Sequence, residues 1–462
     1  MSLIENRRQR LTLLCSLYFA QGLPWGFMDE TMINYLIDRG VGVGEAAGVS
    51  ALILLPWTFK LMWAPLIDTV TIRSMGRRRP WIITAQFLMA ATLVGILMVP
   101  DVTADYRLLG LMFFIHNIFA SFQDVSTDAL AVDILAPEEQ GKANGLMWAS
   151  KLVGFAVGGA GFSIVMDATS IEMAVLLQIL ILGMIMILPI LWIERPGEKR
   201  FPWSSIPARP DSWKNITSLA GVGKNTVIAF SLRTTFAFLV FTLFHNIAPE
   251  IGKFMAKDNC INQLGWNYVR VSTMSGWAVI PQLVLVVLGG FLADRWGRRT
   301  VLFIGMTSYG LLALAAATIP GIWLTGWFPA TYLILSPGLI GIGSVAFLAM
   351  AMRISWTAAA ATVFTAYMTL SNVSAIIGKK LMAVITDAPT FLETGLADAN
   401  YVPPLTWDRV LNLSASSEIF YLAAFAAVVP LLILPLVRPT DIDRANEKLD
   451  GKRDSESPVS PS

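Results

Sequence analysis

The chain has 462 residues, 55% of them apolar and only 14% charged, with a net charge of +2. Soluble domains run nearer a quarter charged. A chain of this length therefore has too few charges to cover two or three water-facing domains, and a polytopic membrane protein fits instead. Two cysteines, Cys15 and Cys260, and two histidines, His116 and His245, are too few and too scattered for a disulfide framework or a metal cluster. The basic residues fall in short clusters between apolar runs, so nucleic-acid binding has no support, and no cofactor is expected.

Taken in chain order, the first element begins in "MSLIENRRQRLTLLCSLYFAQG", basic residues and then an apolar run, which has the outline of a signal peptide. The apolar stretch continues to about Leu36 with no small-residue cleavage site, so it reads as a retained first helix. A bilayer needs about 20 largely apolar residues per span, and twelve such runs occur. They lie at 11–36, 46–67, 81–99, 107–134, 142–166 and 172–193, then at 225–249, 270–292, 300–319, 327–352, 359–386 and 415–437. The Pro-rich, charged stretch "ERPGEKRFPWSSIPARPDSWKN" (194–215) separates the sixth run from the seventh. The expected fold is an all-α membrane protein with twelve transmembrane helices in two pseudo-symmetric six-helix halves. The expected divisions are an N-terminal half at 1–193, a cytoplasmic linker at 194–224, a C-terminal half at 225–437 and a partly disordered cytoplasmic tail at 438–462.

Basic residues before the first span (Arg7, Arg8, Arg10) and after the second (Arg73, Arg77, Arg78, Arg79), sixth (Arg195, Lys199, Arg200), eighth (Arg295, Arg298, Arg299) and twelfth (Arg438, Arg444, Lys448) all fall on one side of a twelve-span chain. The alternate loops, such as "DVTADY", are acidic or neutral. The positive-inside rule then puts both termini in the cytoplasm.

Polar residues inside the spans define the candidate site. In "FASFQDVSTDALAVDIL" (119–135) three aspartates fall in or beside the fourth span. Helical periodicity puts Asn117, Ser121, Asp124 and Asp128 on one stripe and His116, Gln123 and Thr127 on the next. A lipid-facing aspartate costs about 2.5–3.5 kcal/mol at the bilayer centre, so this face must turn to water or protein. Asp133, at the cytoplasmic end, reads as a solvated helix terminus. The first span carries Tyr18, Gln21, Trp25 and Asp29 on one stripe, followed by Glu30, with Gly22, Pro24 and Gly26 offering a bend. Lys60 sits at a depth that reaches Asp124 or Asp128, Lys151 is near the middle of the fifth span, and Arg233 is in the inner half of the seventh. Lys379 and Lys380 read as residues snorkelling to the interface. "GFAVGGAG" (154–161) reads as small-residue helix packing.

The eighth span ends "GGFLADRWGRRTVL" (289–302) and the second ends "WAPLIDTVTIRSMGRRRPWI" (63–82), each an aspartate, a turn glycine and an arginine cluster at corresponding positions. The former resembles the signature loop of the major facilitator superfamily, at Gly290, Leu292, Ala293, Asp294, Arg295, Gly297, Arg298 and Arg299. In the first-half copy Ala64 replaces the glycine, and five extra residues separate Asp68 from Gly76. With "LPWTFKLMWAPLID" (55–68), "GRRRPWI" (76–82) and "QDVSTDALAVDIL" (123–135), those departures are similar to the branch of AmpG-type muropeptide permeases and acetyl-CoA transporters.

The resemblance implies a secondary transporter working by alternating access, not an enzyme. It implies that Gln21, Lys60, Asp124, Asp128, Lys151 and Arg233 surround one solute path, and that Asp68, Gly76, Arg77, Arg78, Gly290, Asp294, Gly297 and Arg298 form cytoplasmic gate loops. The expected partners are the lipid bilayer, a polar and anionic small-molecule solute (muropeptide-like or CoA-ester-like), and a proton carried by Asp124 or Asp128, with Asp29 or Glu30 as reserve. A siderophore or other bulky metabolite fits the sequence equally well. The expected form is a monomer in the inner membrane.

Overall fold

The computed structural model describes residues 2–69, 75–135, 137–201, 230–319, 321–355, 360–396 and 416–438. Among them, apart from one isolated bridge between Ser2 and Ile193, the secondary structure is helical. The N-terminal group comprises α1 (7–38), α2 (43–69), α3 (Arg79–Ile96), α4 (Tyr106–Ile134), α5 (137–168) and α6 (Ile171–Leu191). The C-terminal group comprises α7 (233–263), α8 (268–296), α9 (Arg298–Thr318), α10 (Phe328–Ile354), α11 (Ala360–Leu396) and α12 (416–436).

Ten stretches among the described residues are long and apolar enough to cross a membrane. The chain is thus a multi-pass membrane protein. α1 falls short of that measure because it carries polar and helix-breaking residues, Gln21, Pro24, Asp29 and Glu30, and in α2 the apolar stretch counted, Val43–Phe59, is shorter. The outer surface presents large apolar side chains such as Met98, Val132, Phe291 and Leu432, which water would not tolerate in such density but lipid does.

Close helix packing comes from glycine. A Cβ at Gly22 would sit 2.0 Å from the Lys151 carbonyl, and one at Gly158 would sit 2.0 Å from the Leu23 carbonyl. Helices α1 and α5 therefore touch backbone to backbone, as small-residue packing in membranes allows. This contact carries Lys151 up against Trp25. Where the two helices meet, both widen into π-turns, Phe27–Met32 in α1 and Val157–Gly161 in α5, and Thr31 Oγ1 donates to the Gly158 and Gly159 carbonyls at 2.9 and 2.6 Å.

The connection between α2 and α3 is fastened to the end of α6. Gly76 adopts φ +104° beside the Glu194 carboxylate. That carboxylate accepts the backbone N–H groups of Arg77, Arg78 and Arg79 at 3.1, 2.8 and 2.6 Å, an anion placed on a helix N-terminus. The fully buried Arg79 guanidinium donates in turn to the carbonyls of Pro189 and Ile190 at 2.8 and 3.1 Å, which α6 leaves unpaired at its C-terminal end.

Several expectations are revised. The seventh run does not stop at 249: α7 continues through Ile247–Asp258 into a π-turn, Asn259–Gln263. Cys260, which reads in sequence as part of a polar loop, is therefore buried in helix. The eleventh run extends to Leu396, into what reads in sequence as a loop. Asp133 is not a solvated terminus, since Arg78 Nε reaches its Oδ2 at 2.9 Å. His245, which reads in sequence as an interfacial residue near the end of the seventh span, is buried, its ring stacked 4.3 Å from that of Phe347. Most of the expected linker (202–224) and of the tail (439–462) lies outside the described residues.

Candidate functional site

Among the described residues, two clusters of charge lie within the helices. The first is built by α2, α4 and α5 with an aromatic collar. Asp124, buried, pairs with the Lys60 ammonium through Oδ2 and with Lys151 Nζ through Oδ1, the latter at 3.4 Å. Both lysines also lie against the Trp57 ring, with Lys60 Nζ 4.7 Å and Lys151 Nζ 4.5 Å from its centroid. Trp25, Tyr18 and Trp148 complete the collar around Lys151 at 5.5, 5.6 and 5.8 Å. Cation–π attraction is strongest for such desolvated cations. One turn along α4, Asp128 is exposed and takes its hydrogen bond from the Tyr18 hydroxyl rather than from a lysine.

The second cluster joins the two helix groups. From α1, Asp29 and Glu30 both face inward, although neighbours in an α-helix point about 100° apart; the π-turn that contains them lets both reach one partner. Lys253 of α7 lies 2.6 Å from Asp29 Oδ2 and 3.2 Å from Glu30 Oε1. Lys257, a turn further along α7, lies 3.0 Å from Glu30 Oε2 and donates to the Asp29 carbonyl at 3.2 Å. Lys379 of α11 lies 3.5 Å from Asp29 Oδ1, 3.8 Å from Glu250 Oε2 and 2.7 Å from Ser50 Oγ. The Ser50 hydroxyl closes the network by donating to Asp29.

A cavity of about 300 Å³ lies between these clusters, with Trp25, Trp148 and Lys151 on one wall and Asp29, Glu30, Lys253, Lys257 and Lys379 on the other. Gln282 and Ser336 add hydrogen-bonding groups and Tyr309 and Tyr332 add aromatic surface. Bonds between the helix groups, among the described residues, run from the level of Asn372 Nδ2 to the Trp57 carbonyl (3.4 Å), through the second cluster, to Asn34 Nδ2 and Ser272 Oγ (2.9 Å) and the Tyr35–Tyr268 ring contact (5.2 Å). This seam closes the end of the molecule opposite Gly76 and Glu194.

The residues singled out in the sequence are therefore spread over distinct environments. Lys60, Asp124 and Lys151 meet, with Asp128 beside them, and Asp29 and Glu30 meet α7 and α11. Asn117 is turned to the collar, accepting from Trp57 Nε1 at 3.1 Å. His116 is turned away from it, against Thr92 Oγ1 and the Met89 carbonyl, both at 3.1 Å. Gln123 binds Gln86 at 3.0 Å between α4 and α3. Gln21 is buried with neither amide atom bonded. Arg233 is exposed at the first residue of α7 and has no ion pair with either cluster. In the loops, Arg77 and Arg78 belong to the α2–α3–α6 junction, Gly297 turns at φ +89° and Arg298 donates to the Ala349 carbonyl at 2.9 Å. Gly290 lies on α8 beside Val345. The side chains of Asp68 and Asp294 lie outside the described residues.

Sequence reasoning overlooked Lys253 and Lys257, and it misread Lys379, which is buried in the seam rather than snorkelling. The signal for the α7 lysines was present: "PEIGKFMAK" places Glu250, Lys253 and Lys257 at helical spacing among Ile251, Phe254 and Met255.

The sequence profile of the Major Facilitator Superfamily matches residues 11–379. The chain belongs to that superfamily. It is a family of transporters rather than enzymes, and two solved transporter structures share the fold over nearly the whole chain. The nucleoside transporter NupG aligns with a TM-score of 0.62 at 14% identity, covering 92% of this chain and 98% of that one. A bacterial homologue of the human lysosomal transporter Spinster, in an inward-facing and unoccupied conformation, aligns with a TM-score of 0.59 at 14% identity, covering 94% and 96%. Among curated relatives, the anhydromuropeptide permease of Escherichia coli (strain K12) is 26% identical over 153 residues, 33% of this chain and 31% of that protein. An uncharacterized protein of Schizosaccharomyces pombe is 26% identical over 177 residues, 37% of this chain and 33% of that one. The chain thus spans about a third of the length of the curated relatives it matches.

Proposed function

We propose that this superfamily member is a secondary active transporter that moves a polar, anionic solute by alternating access of two six-helix halves, with a proton as coupling ion. The observation that carries the reading is the cavity between the two helix groups, lined by lysines from both of them and closed at one end by the seam of ion pairs. Rocking of two halves about a central site moves such a cavity from one membrane face to the other. In this reading α1 and α2 also cross the bilayer, giving twelve spans with both termini cytoplasmic in the inner membrane, and the seam lies at the outer face. The likeness to an anhydromuropeptide permease supports a bulky solute bearing carboxylates.

Within the aspartate pair, Asp128 is the proposed proton carrier. Asp124 is neutralised by two ammonium groups and would strand both if protonated, whereas Asp128 loses no ion pair on taking a proton. Uptake of anhydromuropeptide into proteoliposomes with an imposed pH gradient tests both parts. Wild-type protein should concentrate the solute, and Asp128→Asn should exchange it without gradient-driven accumulation. Accumulation by Asp128→Asn equal to wild type would remove that residue from coupling, and absence of uptake by wild type would remove this solute.

A further inference from the structure

Resting on that transport reading, we propose that Lys253 is the docking point for a carboxylate of the solute, and that this carboxylate takes the place of Asp29 on the lysine and so loosens the seam between α1 and α7. All three seam lysines border the cavity, and Lys253 is the most accessible of them: its side chain is 28% exposed, against 1% for Lys257 and 4% for Lys379. The two carboxylates that hold it are buried, so an incoming anion meets the ammonium group and not the acids behind it.

The exchange leaves no charge stranded. With Lys253 taken, Asp29 keeps Lys379 at 3.5 Å and the Ser50 hydroxyl, and Glu30 keeps Lys257 at 3.0 Å. A buried carboxylate without a partner would make the step prohibitive, and the duplicated pairing removes that obstacle. Lys257 shares Glu30 with Lys253, but it is fully buried and also holds the Asp29 carbonyl, which would lose its donor. The cavity is lined by four ammonium groups (Lys151, Lys253, Lys257 and Lys379) and three carboxylates (Asp29, Glu30 and Glu250), with Lys151 held by Asp124 of the first cluster. Docking and loosening are then one event, because the lysine that recognises the solute gives up one of the ion pairs that join the helices.

The experiment reads the seam directly. Asn34→Cys with Ser272→Cys, across the 2.9 Å contact between α1 and α8, is introduced into protein whose Cys15 and Cys260 are replaced, and the rate of disulfide formation is followed. N-acetylglutamate should slow cross-linking about fivefold or more. Its uncharged diamide and sodium chloride of equal ionic strength should not, and the effect should vanish in Lys253→Gln. An equal effect of the diamide or the salt, no effect of N-acetylglutamate, or an effect surviving Lys253→Gln overturns the proposal. Hydrogen exchange at Phe27–Met32 in protein with its own cysteines reports the same release if the double-cysteine protein does not fold. Failure of the transport reading is separate: it shows as vesicles that accumulate no solute, whatever the seam does.

Discussion

The Asp124 cluster and the Asp29–Glu30 seam use the same chemistry, carboxylates held by lysines, in two different mechanical settings. Lys60, Asp124 and Lys151 all belong to the N-terminal helix group, and the rings around them come from the same group. Rigid-body movement between the groups leaves that cluster intact. The seam pairs Asp29 and Glu30 of α1 with lysines of α7 and α11, so no such movement can occur without separating them. A charge cluster inside one rigid body sets stability and local field; a cluster shared between two bodies sets the balance of conformations.

Four measurements press on that difference, beginning with the largest effect. Asp124→Ala removes the carboxylate partner of the buried Lys151 and the half-buried Lys60, which should cost about 3–5 kcal/mol. Thermal unfolding in detergent should show this loss in any conformation, and the double variant Asp124→Ala, Lys151→Met should recover part of it. If the single variant is as stable as wild type, the cluster is not a structural unit. Gly158→Ala forces a methyl group towards the Leu23 carbonyl, 2.0 Å from an ideal Cβ, and should cost about 1–3 kcal/mol. Because α1 carries both Trp25 and Asp29, that substitution should disturb the two clusters together, seen as lost stability with altered cross-linking at Asn34 and Ser272.

Lys257→Met should act differently from Asp124→Ala, chiefly by moving the seam equilibrium. Cross-linking at the same pair should slow by about fivefold or more, and a seam unchanged by this loss would contradict the view that its ion pairs hold the groups together. The smallest effect belongs to a pair inside the N-terminal group, at its far end. A double-mutant cycle with Arg78→Gln and Asp133→Asn should return a coupling of about 0.5–3 kcal/mol, with no change in cross-linking of the seam. Coupling near zero would return Asp133 to the role of a solvated helix end.

Hydropathy and motif residues made the membrane class and most helix positions legible, because whether a segment can span lipid is a local property of its side chains. The fourth helix, read as 107–134, forms as Tyr106–Ile134, and Lys60 was placed within reach of Asp124 by counting depth along two helices. Local rules fail where a helix is polar on one face and apolar on the other: α7 was cut short at 249 because its continuation carries Glu250, Lys253 and Lys257. A lysine that finds a carboxylate on another helix looks, in sequence, like one reaching for water, and Lys379 was misread for that reason.

The sequence by itself therefore determined that this chain lives in a bilayer, that its fourth helix must turn its aspartates to water or protein rather than lipid, and that its loops carry the superfamily's signature. Each follows from the transfer cost of side chains or from residues adjacent in the chain. Tertiary structure alone decided which charges meet. The π-turn at Phe27–Met32 brings Asp29 and Glu30 to one lysine, the glycine contact of α1 with α5 sets Lys151 against Trp25, and Lys379 reaches Asp29 from more than three hundred residues away. Those pairings depend on the azimuth and depth at which separate helices pack, and no periodicity within a single helix encodes them.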